Sequence, residues 1–124
     1  MSDKLVMLLF RDDGMDWAAL QSDDAKAREM FQRFVDWAAD LDKRGKLVAV
    51  DPLLRGGKTV RRRGASIVVD GPYAEGREAV LGYFILRVAD LDEALALAKE
   101  CPHTHLANAA TEVREVGAFP KPGK

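Results

Sequence analysis

Apolar positions run almost without interruption through Lys4–Phe10, the pattern of a strand buried on both faces or lying inside a barrel. The run ends in the turn cluster Arg11-Asp12-Asp13-Gly14, and Gly14–Gln21 reads as a loop carrying Trp17. Ser22 then stands as an N-cap, followed by Asp23 and Asp24, whose charges suit a helix N-terminus. Ala27, Met30, Phe31, Phe34, Ala38 and Leu41 recur at spacings of mostly three and four, which makes one apolar helix face. Lys43 and Arg44 occupy its last turn and Gly45 suits the left-handed position that follows.

The pattern then changes period. Leu47–Leu54 predicts a second apolar strand, interrupted by Asp51-Pro52, which places its end at an edge or bulge. Gly56-Gly57 is a two-residue hairpin signal, Lys58–Arg63 returns as a strand, and Ser66–Val69 follows the turn at Gly64. Asp70–Gly76 is built of turn formers, and Leu81–Val88 is a strand of aromatic and branched residues. Asp90 and Glu93 have capping-box spacing ahead of a helix whose apolar face is Leu91, Ala94, Leu95 and Ala98. Pro102 stops that helix, and Thr111–Val116 predicts the last strand.

The order β-α-β-β-β-β-α-β is a ferredoxin-like split βαβ plan with an inserted hairpin, an α+β fold with helices over one face of an antiparallel sheet. Two helices cover one sheet face, yet the first, second and fifth strands are apolar on both sides. Twofold pairing of two such sheets closes the other face, so a homodimer is expected.

At 124 residues, 48% hydrophobic and 31% charged, the chain has the size and composition of one globular domain. Residues 1–116 are expected to form that domain and 117–124 a flexible tail. The single cysteine, Cys101, forms no internal disulfide. The short apolar run at Leu5–Phe10 makes neither a signal peptide nor a membrane span, so the cytoplasm is the expected compartment. A net charge of −1 offers no global field for nucleic acid or anionic lipid. Arg61-Arg62-Arg63 is the one dense basic spot, read as a solvated hairpin in preference to a phosphate or carboxylate site.

Several segments resemble one family. Val69-Asp70-Gly71-Pro72-Tyr73-Ala74-Glu75 resembles the DGPF signature, with tyrosine in place of phenylalanine. Gly82-Tyr83-Phe84, Leu91-Asp92-Glu93-Ala94, Cys101-Pro102-His103 and Glu112-Val113-Arg114 follow in the family's order, and Trp37 and the Gly45–Leu53 stretch also match. From about Leu5 to Val116 the chain is similar to YCII-related proteins of the DGPF branch. That resemblance implies a dimeric α/β barrel and a homodimer. It also implies a His–Asp acid–base pair in some members; here Asp12 takes the aspartate position, while Phe34 stands at the histidine position and the dyad is absent. The family's glycine-rich turn is replaced by Asn108-Ala109-Ala110.

The chemistry-bearing positions are sparse. His103 and His105 form an i, i+2 pair without a metal motif, and no metal or cofactor site is expected. A histidine beyond a helix C-terminus hydrogen-bonds free carbonyls, and His103 is also a candidate proton carrier. Cys101 falls in register with Ala94 and Ala98 on an apolar face, an inert place for a thiol. Asp70-Gly71-Pro72-Tyr73 is a turn in its plain reading. In its functional reading, Asp70, Tyr73 and Glu75 rim a cavity between sheet and helices, where carboxylates act as general base or bind a cation. Asp51 and Arg114 complete a polar cluster at strand ends, although Arg114 with Glu112 also reads as a cross-strand ion pair. Phe34 and Trp37 are core residues or the lining of an aromatic pocket.

The expected function is therefore a small-molecule-binding or cofactor-independent enzyme domain, with Asp12, Asp51, Asp70 and Tyr83 around an apolar cleft. Asp12 and Asp70 are the candidate bases of one shared cleft, and Tyr83 or His103 the proton donor. The alternative is a non-catalytic regulatory or interaction protein, which the association of the DGPF branch with extracytoplasmic sigma factors favours.

Overall fold

The computed structural model describes residues 3–12, 25–53, 57–70, 79–106 and 109–117. In chain order these form β1 (Lys4–Asp12), α1 (Ala25–Lys43), β2 (Leu47–Pro52), β3 (Thr59–Arg63), β4 (Ser66–Asp70), β5 (Ala79–Val88), α2 (Leu91–Glu100) and β6 (Ala109–Glu115). A 3-10 turn, Pro102–His105, follows α2. Four strands make an antiparallel sheet in the order β2-β5-β1-β6, so β5 lies between the two strands that α1 connects. This is the α+β split βαβ arrangement that the sequence pattern predicts.

The period of two along each strand decides where the core lies. Val6, Leu8 and Phe10 of β1 are buried on one face beside Phe84, Leu86 and Val88 of β5. Phe34 and Leu41 of α1 and Ala94, Leu97 and Ala98 of α2 close over them. The odd positions of β1 point to the other face, where Leu5, Met7 and Leu9 are only partly buried. Register places Ala49, Ile85, Met7 and Arg114 in one row across this open face, and Asp51, Tyr83, Leu9 and Glu112 in the next. Among the described residues, no helix covers the open face.

Helix ends follow local chemistry. Gly45, at φ +73°, ends α1 as the Lys46 N–H donates to the Leu41 carbonyl and the Gly45 N–H to that of Asp42. At the start of α2 the Glu93 N–H donates to Asp90 Oδ1, while Glu93 Oε1 accepts from the Ala89 N–H. The expected N-cap at Ser22 lies outside the described residues.

The inserted hairpin differs from expectation in its pairing. β2 pairs with β5, and β3 pairs with β4 through a turn at Gly64-Ala65. Gly64 takes φ +59° there. A Gly-Gly pair marks a bend, but it does not choose the strand that comes to lie alongside. β3 and β4 therefore form a separate two-stranded arm, inserted between β2 and β5.

Candidate functional site

A cleft of roughly 170 Å³ lies between α1 and the β2 edge. The helix contributes Phe31, Phe34, Val35 and Ala38; Phe10 and Phe84 form the floor; Val50, Asp51 and Pro52 form the outer wall. The floor is rigid because Phe10 is held by three rings. It lies 5.3 Å from Phe84 and 5.7 Å from Phe34, both tilted, and 4.8 Å from a stacked His103. Gly82 lets the edge strand close in, since a Cβ there would stand 3.0 Å from the Asp51 carbonyl oxygen and 3.1 Å from the Pro52 Cα. Volumes near 150 Å³ with apolar walls accept a benzene-sized guest.

Asp51 is the only charged residue among the described residues of the lining. Its side chain, however, lies in the open-face row with Tyr83, so the cleft is walled almost wholly by apolar groups. Asp51 Oδ2 accepts a hydrogen bond from Tyr83 Oη at 3.0 Å, across the β2–β5 ladder where the two residues are direct partners. That bond, with the negative charge of Asp51, raises the Tyr83 pKa above its ordinary value. Tyr83 therefore holds its proton at neutral pH and orients the carboxylate.

The other expected site residues are dispersed. Asp70 sits on the arm, with Arg61 Nε at 2.9 Å and Arg63 at 3.7 Å. It does not line the cleft. Asp12 ends β1 opposite Ala79 and Ala109. Tyr73 and Glu75 lie outside the described residues. Arg114 contacts Glu112 at 3.5 Å along the same strand, and the cross-strand partner of Glu112 is Arg11 at 2.9 Å. Trp37 packs behind the floor, 5.0 Å from Phe84, and is not part of the lining.

His103 is fully buried, and its Nε2 lies 3.0 Å from the Arg11 carbonyl oxygen. Phe10 stands between it and the cleft, which makes it a structural support. The carbonyl at the end of α2 is met instead by His105, whose Nε2 lies 2.7 Å from Lys99 O. Cys101 is buried and desolvation pushes its thiol up to about 12. Among the described residues, no cluster of three His, Cys, Asp or Glu side chains could hold a metal ion.

Phe31, Val35, Ala38 and Val50 complete the site without having been singled out. The available signal was the α1 apolar stripe, to which Phe31 and Ala38 belong.

Fold and cleft together define a small α+β domain with an apolar pocket at one sheet edge. The chain belongs to the YCII-related domain family, whose model matches residues 6–120. It is similar to an uncharacterised protein of Rhizobium meliloti (strain 1021), 26% identical over 118 residues that span 95% of this chain and 94% of that protein. Among the described residues, no helix is long and apolar enough to cross a membrane.

Proposed function

We propose that this protein binds a small molecule through the α1–β2 cleft, and that it does so as a homodimer joined through the open sheet faces. The observation that carries the binding reading is the cleft itself, floored by Phe10 and Phe84 and walled by α1 on one side and the β2 edge on the other. Its volume suits one aromatic ring or a short branched chain, and its apolar walls select a neutral molecule over a charged one. Binding is favoured over acid–base catalysis because the Asp51 carboxylate is held by Tyr83 on the open face, away from the cleft. Asp70 and His103 are engaged elsewhere.

The dimer reading rests on the rows of the open face. Met7, Leu9, Ile85 and Ala49 form an apolar centre, and Arg11, Glu112, Arg114 and Asp51 a charged rim. An apolar centre with a polar rim is the anatomy of a protein interface.

A thermal-shift panel of single-ring aromatic amines, alcohols and carboxylates tests the binding reading. The alcohols should raise the melting temperature of the wild type more than the carboxylates do. Ala38→Phe, which fills the cleft, should abolish the shift. A panel with no stabilising member, or equal shifts in Ala38→Phe, contradicts it.

A further inference from the structure

The β3–β4 arm has two unlike faces. On one, Arg61 and Arg63 converge on Asp70. The other carries Val60 opposite Val69 and Arg62 opposite Ile67. Val60, Ile67 and Val69 are 65%, 66% and 63% exposed, the highest values among the large exposed hydrophobic residues described. An isolated two-stranded hairpin is marginal in water, and β3 and β4 pack chiefly on each other. An apolar strip on such a ribbon calls for a surface to lie against.

Charge indicates what that surface is. Residues 57–70 hold Lys58, Arg61, Arg62 and Arg63 against Asp70 alone, a net of +3 in a chain whose total is −1, so the remaining residues carry −4. Two arms laid on each other would set a net of +3 against +3. An arm laid on the body of another copy meets the opposite charge.

We propose that the arm is an intersubunit clasp, the Val60–Ile67–Val69 face of one copy lying on the body of a second copy of this chain. The inference rests on the homodimer reading and adds a contact that the sheet face does not supply. Steering by opposite charge makes the association salt-sensitive.

Sedimentation of the full chain tests it with two arm variants and one sheet-face variant. Val60→Ser/Ile67→Ser/Val69→Ser should raise the dimer dissociation constant by about tenfold or more, and Arg62→Glu should weaken pairing most at low salt. All three serines replace exposed side chains, and an unchanged circular dichroism spectrum serves as the folding control. A benzophenone maleimide on Ile67→Cys should photolink two copies, the native thiol at Cys101 being buried. Arm variants that dimerise as tightly as the wild type, with no photolinked pair, overturn the clasp while leaving the sheet-face dimer intact. Dissociation by Met7→Asp alone identifies that case. A wild type that stays monomeric overturns both readings.

Discussion

At the scale of single residues, the cleft depends on what is missing at Gly82 as much as on the rings that line it. A methyl group there meets the backbone of Asp51 and Pro52, which cannot yield as a side-chain tip can. Gly82→Ala should therefore cost on the order of 1–3 kcal/mol, read as a lowered urea midpoint, and should widen the β2 edge. An unchanged midpoint would show that the edge strand moves freely. Cys101 gives a second residue-scale expectation. A thiol pushed up to about 12 and sealed beneath α2 should label slowly in native protein and fast in urea. Rapid native labelling would contradict the packing described for the α2 end. Asp51 was legible as a strand-end polar group and Tyr83 as a polar position within a strand. Their direct pairing depended on which strand β2 joined, and that partner lies some thirty residues further along.

Individual elements were easier to read than their partners. The apolar run of β1, the α1 stripe, the Gly45 stop and the Asp90–Glu93 cap are local patterns, and each governs hydrogen bonds within a few residues. The pairing of β2 is not local: Gly56-Gly57 advertised a nearby turn, while β5 gave the edge strand its ladder. His103 was equally unreadable, because Pro102 redirects the chain into a 3-10 turn that buries the ring against Phe10. The α2 cap carries a pH expectation. The hydrogen bond from Lys46, 2.6 Å away, and then that from the Ala89 N–H, lower the Glu93 pKa below its ordinary value of 4.5. A carboxyl depressed in the folded state adds stability that is present above that ordinary value and is lost as pH falls through the folded one. Glu93→Gln should flatten the acid side of the stability curve while leaving its slope near neutrality unchanged. Equal acid-side slopes in the two proteins would remove Glu93 from the account.

At the scale of the whole molecule, one sheet separates two different tasks. Its helix-covered face holds the core and the cleft, and its open face offers a surface for a second copy. Sedimentation at micromolar concentration should give about twice the chain mass, with an interface above about 1,000 Å², and Met7→Asp should give a monomer. A monomeric wild type would leave the open face unexplained. Binding in the cleft remains the central claim, and methyl-resolved NMR tests it most directly. Titration with a single-ring aromatic alcohol should shift the Val35 and Val50 methyls, which flank the cleft, and leave those of Val60 and Val69 on the arm unmoved. Shifts spread over arm and sheet alike, or none at Val35 and Val50 across the panel, would contradict the assignment.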